Sequence, residues 1–259
     1  SGAGDVNGDG YSDLIVGAPG CDNGEADEGA AFLYYGSSTG IGSDPVMLEA
    51  DQANAHFGTA VSGAGDLNGD GYADIIIAAP HYDNGQTDEG VVFVYLGSST
   101  GISTMPAALL ESNQANTLFG NSISRAGDVN GDGFSDILIG APLYDNGQTD
   151  EGVVFVYTGS SAGINNTPAI ILERDQGNAQ FGASVAAAAD INADGYSDIV
   201  IGAPFYDNGE TDEGAVFIYH GSAVGLSNTV AAVIESNQAN AQMGISVSGA
   251  GDVNGDGYS

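Results

Sequence analysis

Asp66-Leu67-Asn68-Gly69-Asp70-Gly71-Tyr72-Ala73-Asp74 puts side-chain oxygens at positions 1, 3, 5 and 9 of a nine-residue loop, with glycine at position 6. That pattern suits a loop wrapped around a hard cation. Asp66, Asn68, Asp70 and Asp74 supply side-chain oxygens, and Tyr72 its backbone carbonyl, so the Tyr72 side chain is expected to be free to vary. Gly71 allows the left-handed turn that folds the loop back. The pattern recurs at Asp5, Asn7, Asp9, Tyr11 and Asp13; at Asp128, Asn130, Asp132, Phe134 and Asp136; and at Asp190, Asn192, Asp194, Tyr196 and Asp198. A fifth copy starts at Asp252 and reaches Ser259, one residue short of position 9. An EF-hand would need a bidentate Glu at position 12 and flanking helices. Here position 12 is Val16, Ile77, Ile139 or Ile201, inside apolar runs that end in proline. The loop therefore enters a strand. A plain Asx-rich turn uses the same residue types, but it does not require this spacing four times over.

The opening Gly-Asp or Ala-Asp pair falls at residues 4, 65, 127, 189 and 251, which gives four periods of 61 or 62 residues and a restart. In the second period, residues 57–63 alternate and read as a strand, and the loop follows. Residues 75–79 form a continuous apolar strand closed by Pro80. Asn84-Gly85 marks a turn, residues 91–96 are the longest β-rich run, and residues 107–111 form a shorter strand. Four short strands per period with hairpin links make a blade, so the predicted fold is an all-β propeller of four-stranded antiparallel blades. The blades are placed at residues 1–56, 57–118, 119–180 and 181–242 of one propeller domain or fragment spanning 1–259.

Composition narrows the function. Two basic residues, Arg125 and Arg174, stand against 35 acids, for a net charge of -33. Nucleic acid needs a basic footprint, and anionic membranes repel such a surface. An apolar content of 42% is that of a folded chain rather than an acidic tail. Cys21 stands alone, so no intrachain disulfide can form. The sequence contains no signal peptide and no apolar run of spanning length. Because it starts and stops within a repeat, it is expected to be a piece of a longer protein whose targeting signals lie elsewhere.

Phe57-Gly58, Phe119-Gly120 and Phe181-Gly182, then the cation loop, then Gly-Ala-Pro at residues 17–19, 140–142 and 202–204 resemble the FG-GAP repeat. That repeat builds the N-terminal β-propeller of integrin α chains and of many bacterial secreted proteins. The resemblance covers essentially the whole chain. Met243-Gly244, Ala78 and Ala193 depart from the pattern without removing a proposed ligand. The resemblance implies about four structural calcium ions on the lower face of the propeller, with partners meeting the upper face. It also implies an extracellular or cell-surface setting, in a bacterium. Integrin-like propellers have seven blades and this chain has four periods. A longer parent ring is the favoured account, with a closed four-bladed ring or an association of two copies beside it. In the closed ring, residues 243–249 would complete the first blade.

The Asp-Asn-Gly-x-x-Asp-Glu-Gly segments at 22–29, 83–90, 145–152 and 207–214 read as solvated hairpins; an acidic partner-binding rim or a weak second cation site is the other reading. Glu49, Glu111, Glu173 and Glu235, each followed by a glutamine three residues on, are expected to hold adjacent blades in register. Gly-Ser-Ser-x-Gly at 36–40, 97–101 and 159–163 matches a nucleophile pattern but lacks the following helix and a histidine partner, so no enzyme is expected. The expected function is a calcium-stabilised adhesion or protein-interaction propeller with an unidentified protein or glycan ligand, and oligomers could form through unpaired blade edges. The alternatives are a calcium-dependent glycan-binding propeller, for which Tyr82, Tyr144 and Tyr206 are the candidate aromatics, and an accessory domain of a secreted hydrolase.

Overall fold

The computed structural model describes residues 1–256. Among the described residues, sixteen strands form four antiparallel sheets, and each sheet is a simple meander. The first blade is β1 (Gly2–Gly4), β2 (Asp13–Ala18), β3 (Ala30–Tyr34) and β4 (Val46–Glu49). The second is β5 (Ala60–Gly65), β6 (Asp74–Ala79), β7 (Val91–Tyr95) and β8 (Ala108–Glu111). The third is β9 (Ser122–Gly127), β10 (Asp136–Ala141), β11 (Val153–Tyr157) and β12 (Ile170–Glu173). The fourth is β13 (Ser184–Ala189), β14 (Asp198–Ala203), β15 (Ala215–Tyr219) and β16 (Ala232–Glu235).

The central strands of the two middle blades are buried on both faces, so their sequences run apolar without alternation. Ile75 and Ile77 of β6 join Ile15 and Leu33 in one core, while Ile76 and Ala78 join Ile137 and Ile139 in the next. A third core, built around Leu138, Val156, Ile199 and Ile201, lies between the last two blades. The hydrophobic stabilisation therefore resides between sheets, and a single sheet has no core of its own. The innermost strands β1, β5, β9 and β13 pack in sequence as an arc.

The arc is open, because no such packing joins β13 back to β1. The segment from Met243 does not complete the first blade. Met243 bridges to Gly214, and Gly249 lies against Ala187 and Ala188 of β13, where it continues the arc past the fourth blade. The first blade needs no donated strand, since β1 already pairs with β2. At the open ends the residue positions that are buried elsewhere become bare. Val16 is 42% exposed where Ile77, Ile139 and Ile201 are 0%, and Ile234 is 45% exposed where Leu48, Leu110 and Leu172 are at most 2%.

The Phe-Gly pairs also lie outside the strand predicted for them. In the second blade the strand starts at Ala60, and Gly58 turns the chain with φ of 87°. Phe57 is fully buried, stacks edge-on against Phe93 and bridges to Gly29 of the preceding blade. The pair is thus a wedge between blades. Phe119 against Phe155 and Phe181 against Phe217 repeat it. At the far end of each innermost strand a bulge precedes the loop aspartate, at Gly65 for example, with φ of 77°.

Candidate metal centres

The four loops link the first two strands of each blade and project from one end of the sheets. Each folds around its first aspartate. Asp66 Oδ1 accepts from Gly69 N at 2.7 Å and Asp70 N at 3.2 Å, and its Oδ2 accepts from Gly71 N at 2.9 Å. Asn68 Oδ1 accepts from Asp70 N, and Asp70 Oδ1 from Tyr72 N, both at 3.0 Å. Loops one and three repeat the whole set through Asp5 and Asp128. The fourth keeps the Asp194 and Gly195 bonds to Asp190. The fifth copy starts the same way, with Gly255 N donating to Asp252 Oδ1. Gly10, Gly71, Gly133 and Gly195 at position 6 have φ of 88–92°, and nothing lies within 4 Å of a methyl placed there, so glycine is required by the turn alone.

The ninth position differs from the others. Asp74 is fully buried. Its Oδ2 accepts from Leu67 N at 2.7 Å and its Oδ1 from Gly97 N at 2.8 Å, so one carboxylate ties the loop to the hairpin after β7. Asp13, Asp136 and Asp198 make the matching pairs of bonds. Burial pushes the Asp74 and Asp136 carboxyls up to about 7 against the pull of those backbone bonds, and Asp13 is raised for the same reason. The donor set is all oxygen, with carboxylates at positions 1, 5 and 9 and the last of them desolvated, which is the chemistry of a hard divalent cation, although among the described residues the three carboxylates of a loop do not gather within 4.8 Å of one another. The residues that would hold the ion are those at positions 1, 3, 5 and 9, with the carbonyl of position 7.

The aromatic at position 7 lies over the preceding loop. The ring of Tyr72 covers Gly8 of the preceding loop so closely that a methyl on Gly8 would lie 2.5 Å from Cε1. Phe134 covers Gly69 and Tyr196 covers Gly131 in the same way. Ala73 N donates to Asp5 O at 2.9 Å, and Ser135 and Ser197 repeat that bond. The loops therefore stack on one another as a ribbon. A single repeat cannot show this, because each pair joins neighbouring repeats; only the glycine at position 4 in three of the four loops hints at it.

At the opposite end, Gln52 makes a two-way clamp on the next blade. Its Nε2 donates to Asp83 O at 3.0 Å, and its Oε1 accepts from Asp83 N at 2.6 Å. Gln114 and Gln176 clamp Asp145 and Asp207 likewise. The glutamines thus act between blades as expected. The glutamates three residues earlier act within their own blade, where Glu49, Glu111, Glu173 and Glu235 accept from Asn23, Asn84, Asn146 and Asn208. The hairpins here are only partly solvated. Glu28, Glu89, Glu151 and Glu213 are at most 1% exposed, and each takes a backbone N–H of its own hairpin.

The FG-GAP repeat family matches residues 1–34, 57–95, 119–157 and 181–219, each match running from the innermost strand of a blade, or its Phe-Gly wedge, through the loop to the third strand. The chain belongs to the FG-GAP repeat family. Among relatives, integrin alpha-5 of Xenopus laevis is 32% identical over 237 residues, covering 86% of this chain and 21% of that one. Integrin alpha-V of Gallus gallus is 32% identical over 209 residues, covering 77% and 19%. The chain thus spans about a fifth of the length of these relatives. A crystal structure of the rhamnogalacturonan lyase YesW overlaps 92% of the chain and 48% of its own, with 14% identity and a TM-score of 0.45, a likeness too low to speak to activity. Among the described residues, no helix is long and apolar enough to cross a membrane.

Proposed function

We propose that these FG-GAP repeats form a calcium-stabilised propeller that serves as an adhesion or protein-interaction module outside the cell. The observation that supports this most is the fourfold loop, with its oxygen-only donors and left-handed glycine, in a chain similar to integrin α subunits. Extracellular calcium is in the millimolar range, where sites of this class fill. Calcium titration calorimetry should give about one ion for each of the four complete loops. A stoichiometry near zero would overturn the calcium assignment and leave the fold standing.

The module is non-catalytic in this reading. Ser37, Ser98 and Ser160 cap their own turns through the carbonyls of Gly40, Gly101 and Gly163. Ser38, Ser99 and Ser161, which hold the nucleophile position of the pattern, are exposed on hairpin tips without a histidine partner. A fluorophosphonate probe should label none of them, and labelling at any one would refute the assignment.

The exposed apolar positions of the first and fourth blades suit an apolar partner, either a further blade of a longer chain or a second copy of this one. Val16 on one side and Val200, Ile218 and Ile234 on the other stand at the positions that meet in the three internal interfaces, so the two faces complement each other. Sedimentation velocity in calcium buffer should show concentration-dependent association, weakened by Val16→Asp or Ile234→Asp. A monomer throughout would exclude it.

A further inference from the structure

A cluster of carboxylates lies at the end of the sheets away from the loops. The buried glutamates of the Asp-Glu-Gly segments each spend Oε1 on the hairpin backbone. In the first and third blades the other oxygen, Glu28 Oε2 or Glu151 Oε2, is buried with no hydrogen-bond partner. A buried carboxylate oxygen left this way is costly, so it calls for a partner.

Around Glu28 the partner is defined by its neighbours. Glu49, at the end of β4, and Asp51, two residues on and turned by a φ of 50°, bring carboxylate oxygens to lie with that of Glu28 within 4.8 Å of one another. Among the described residues this is the one set of three such side chains that gathers so closely. Asn23 Nδ2 donates to Glu49 Oε2 at 2.5 Å, which orients one carboxylate without neutralising it. Three carboxylates at this separation repel one another unless positive charge intervenes. Neither of the two basic residues supplies that charge: Arg125 lies on β9 of the third blade, and Arg174 lies over the Phe217 and Tyr219 rings of the fourth blade.

We propose that Glu28, Glu49 and Asp51 bind a hard divalent cation of the calcium class. The ligands are all oxygen, the inner one is fixed by burial, and exposed Asp51 leaves the site open to solvent for entry. This site is separate from the loops at the other end of the same sheet, and it does not depend on them. The repeats carry their own control. The third blade has Glu151, Glu173 and Asp175, with the same unpartnered glutamate oxygen. The second and fourth blades have Asn113 and Asn237 in place of the aspartate, and their glutamates are not among the unpartnered groups. In the third blade the unpartnered oxygen occurs without three carboxylates gathering within 4.8 Å, so the proposed site is confined to the first blade.

The test is a count of bound calcium by equilibrium dialysis, with metal analysis, on the full chain and on Asp51→Asn. That variant installs the residue the second blade already carries there, and asparagine tolerates the positive φ. Asp51→Asn should bind one calcium fewer than the parent, and in chelator it should melt no lower than the parent, because one of the three repelling charges is gone. A double variant Asp66→Asn, Asp70→Asn should lose one ion from a loop instead, so failure of the loop assignment and failure of this one register separately. An equal count in the parent and Asp51→Asn would overturn the proposal.

Discussion

Chelating calcium should lower the melting temperature of this chain by about 5–10 °C for every loop that gives up an ion. A loop half-saturated at about 0.1 mM, in about 10 mM calcium, gains roughly 2.7 kcal/mol by mass action. In a chain of this size each kcal/mol moves the melting point by about 2–4 °C. The loops stack on one another through Tyr72, Phe134 and Tyr196, so they should melt together and the shifts accumulate. General screening of a chain with net charge -33 would also stabilise it, and magnesium is the control for that. Magnesium dehydrates reluctantly and demands tighter octahedral geometry, so an equal concentration should recover only the screening part. Asp88→Asn is the second control. Asp88 is partly exposed beside His81, its φ is positive, and asparagine accepts both conditions, so its cost should stay within about 0.5 kcal/mol. Equal melting with and without chelator would remove calcium from the account of stability.

The features legible in the sequence are those a single repeat determines. Position-1 aspartate, position-6 glycine and the entry into an apolar strand all follow from local chemistry, and Asp66, Gly71 and β6 behave as that chemistry requires. What stayed hidden is what one repeat does to the next. Phe57 alternates with its neighbours like a strand residue, yet it is drawn out of the sheet by Phe93 of its own blade and by Gly29 of the blade before. Tyr72 looks dispensable until Gly8 is placed beneath it. Glu89 looks solvated because its flanking residues are Asp and Gly, and it is buried because Asn84 and Gln86 turn their N–H groups inward toward it. Ring closure failed as an inference for a related reason. Residues 243–249 match the innermost strand of any blade equally well, so the pattern alone cannot tell the position after the fourth blade from the position at the first.

Asp74→Ala should cost about 2–6 kcal/mol even in calcium-free buffer, which separates position 9 from the other ligand positions. The aspartate is fully buried and holds two backbone N–H groups, Leu67 N inside the loop and Gly97 N in the hairpin that follows β7. Alanine leaves both donors without an acceptor in a dry site, and each unsatisfied buried donor costs about 1–3 kcal/mol. Desolvation already strains the charged form of this carboxyl, so removing it returns part of that cost and places the expected value below the upper limit. Asp70→Ala offers the contrast. Asp70 is exposed, and its backbone partner Tyr72 N lies at the outer turn of the loop, where water can replace the bond. Its loss should barely move urea denaturation in chelator, yet should weaken calcium binding at the second loop. Asp74→Asn should fall between the two, since one amide oxygen can keep one N–H while the amide nitrogen faces the other. Were Asp74→Ala and Asp70→Ala to lose equal stability in chelator, the carboxylate at position 9 would be a ligand only, and the link it makes between loop and hairpin would carry no weight in holding the blade together.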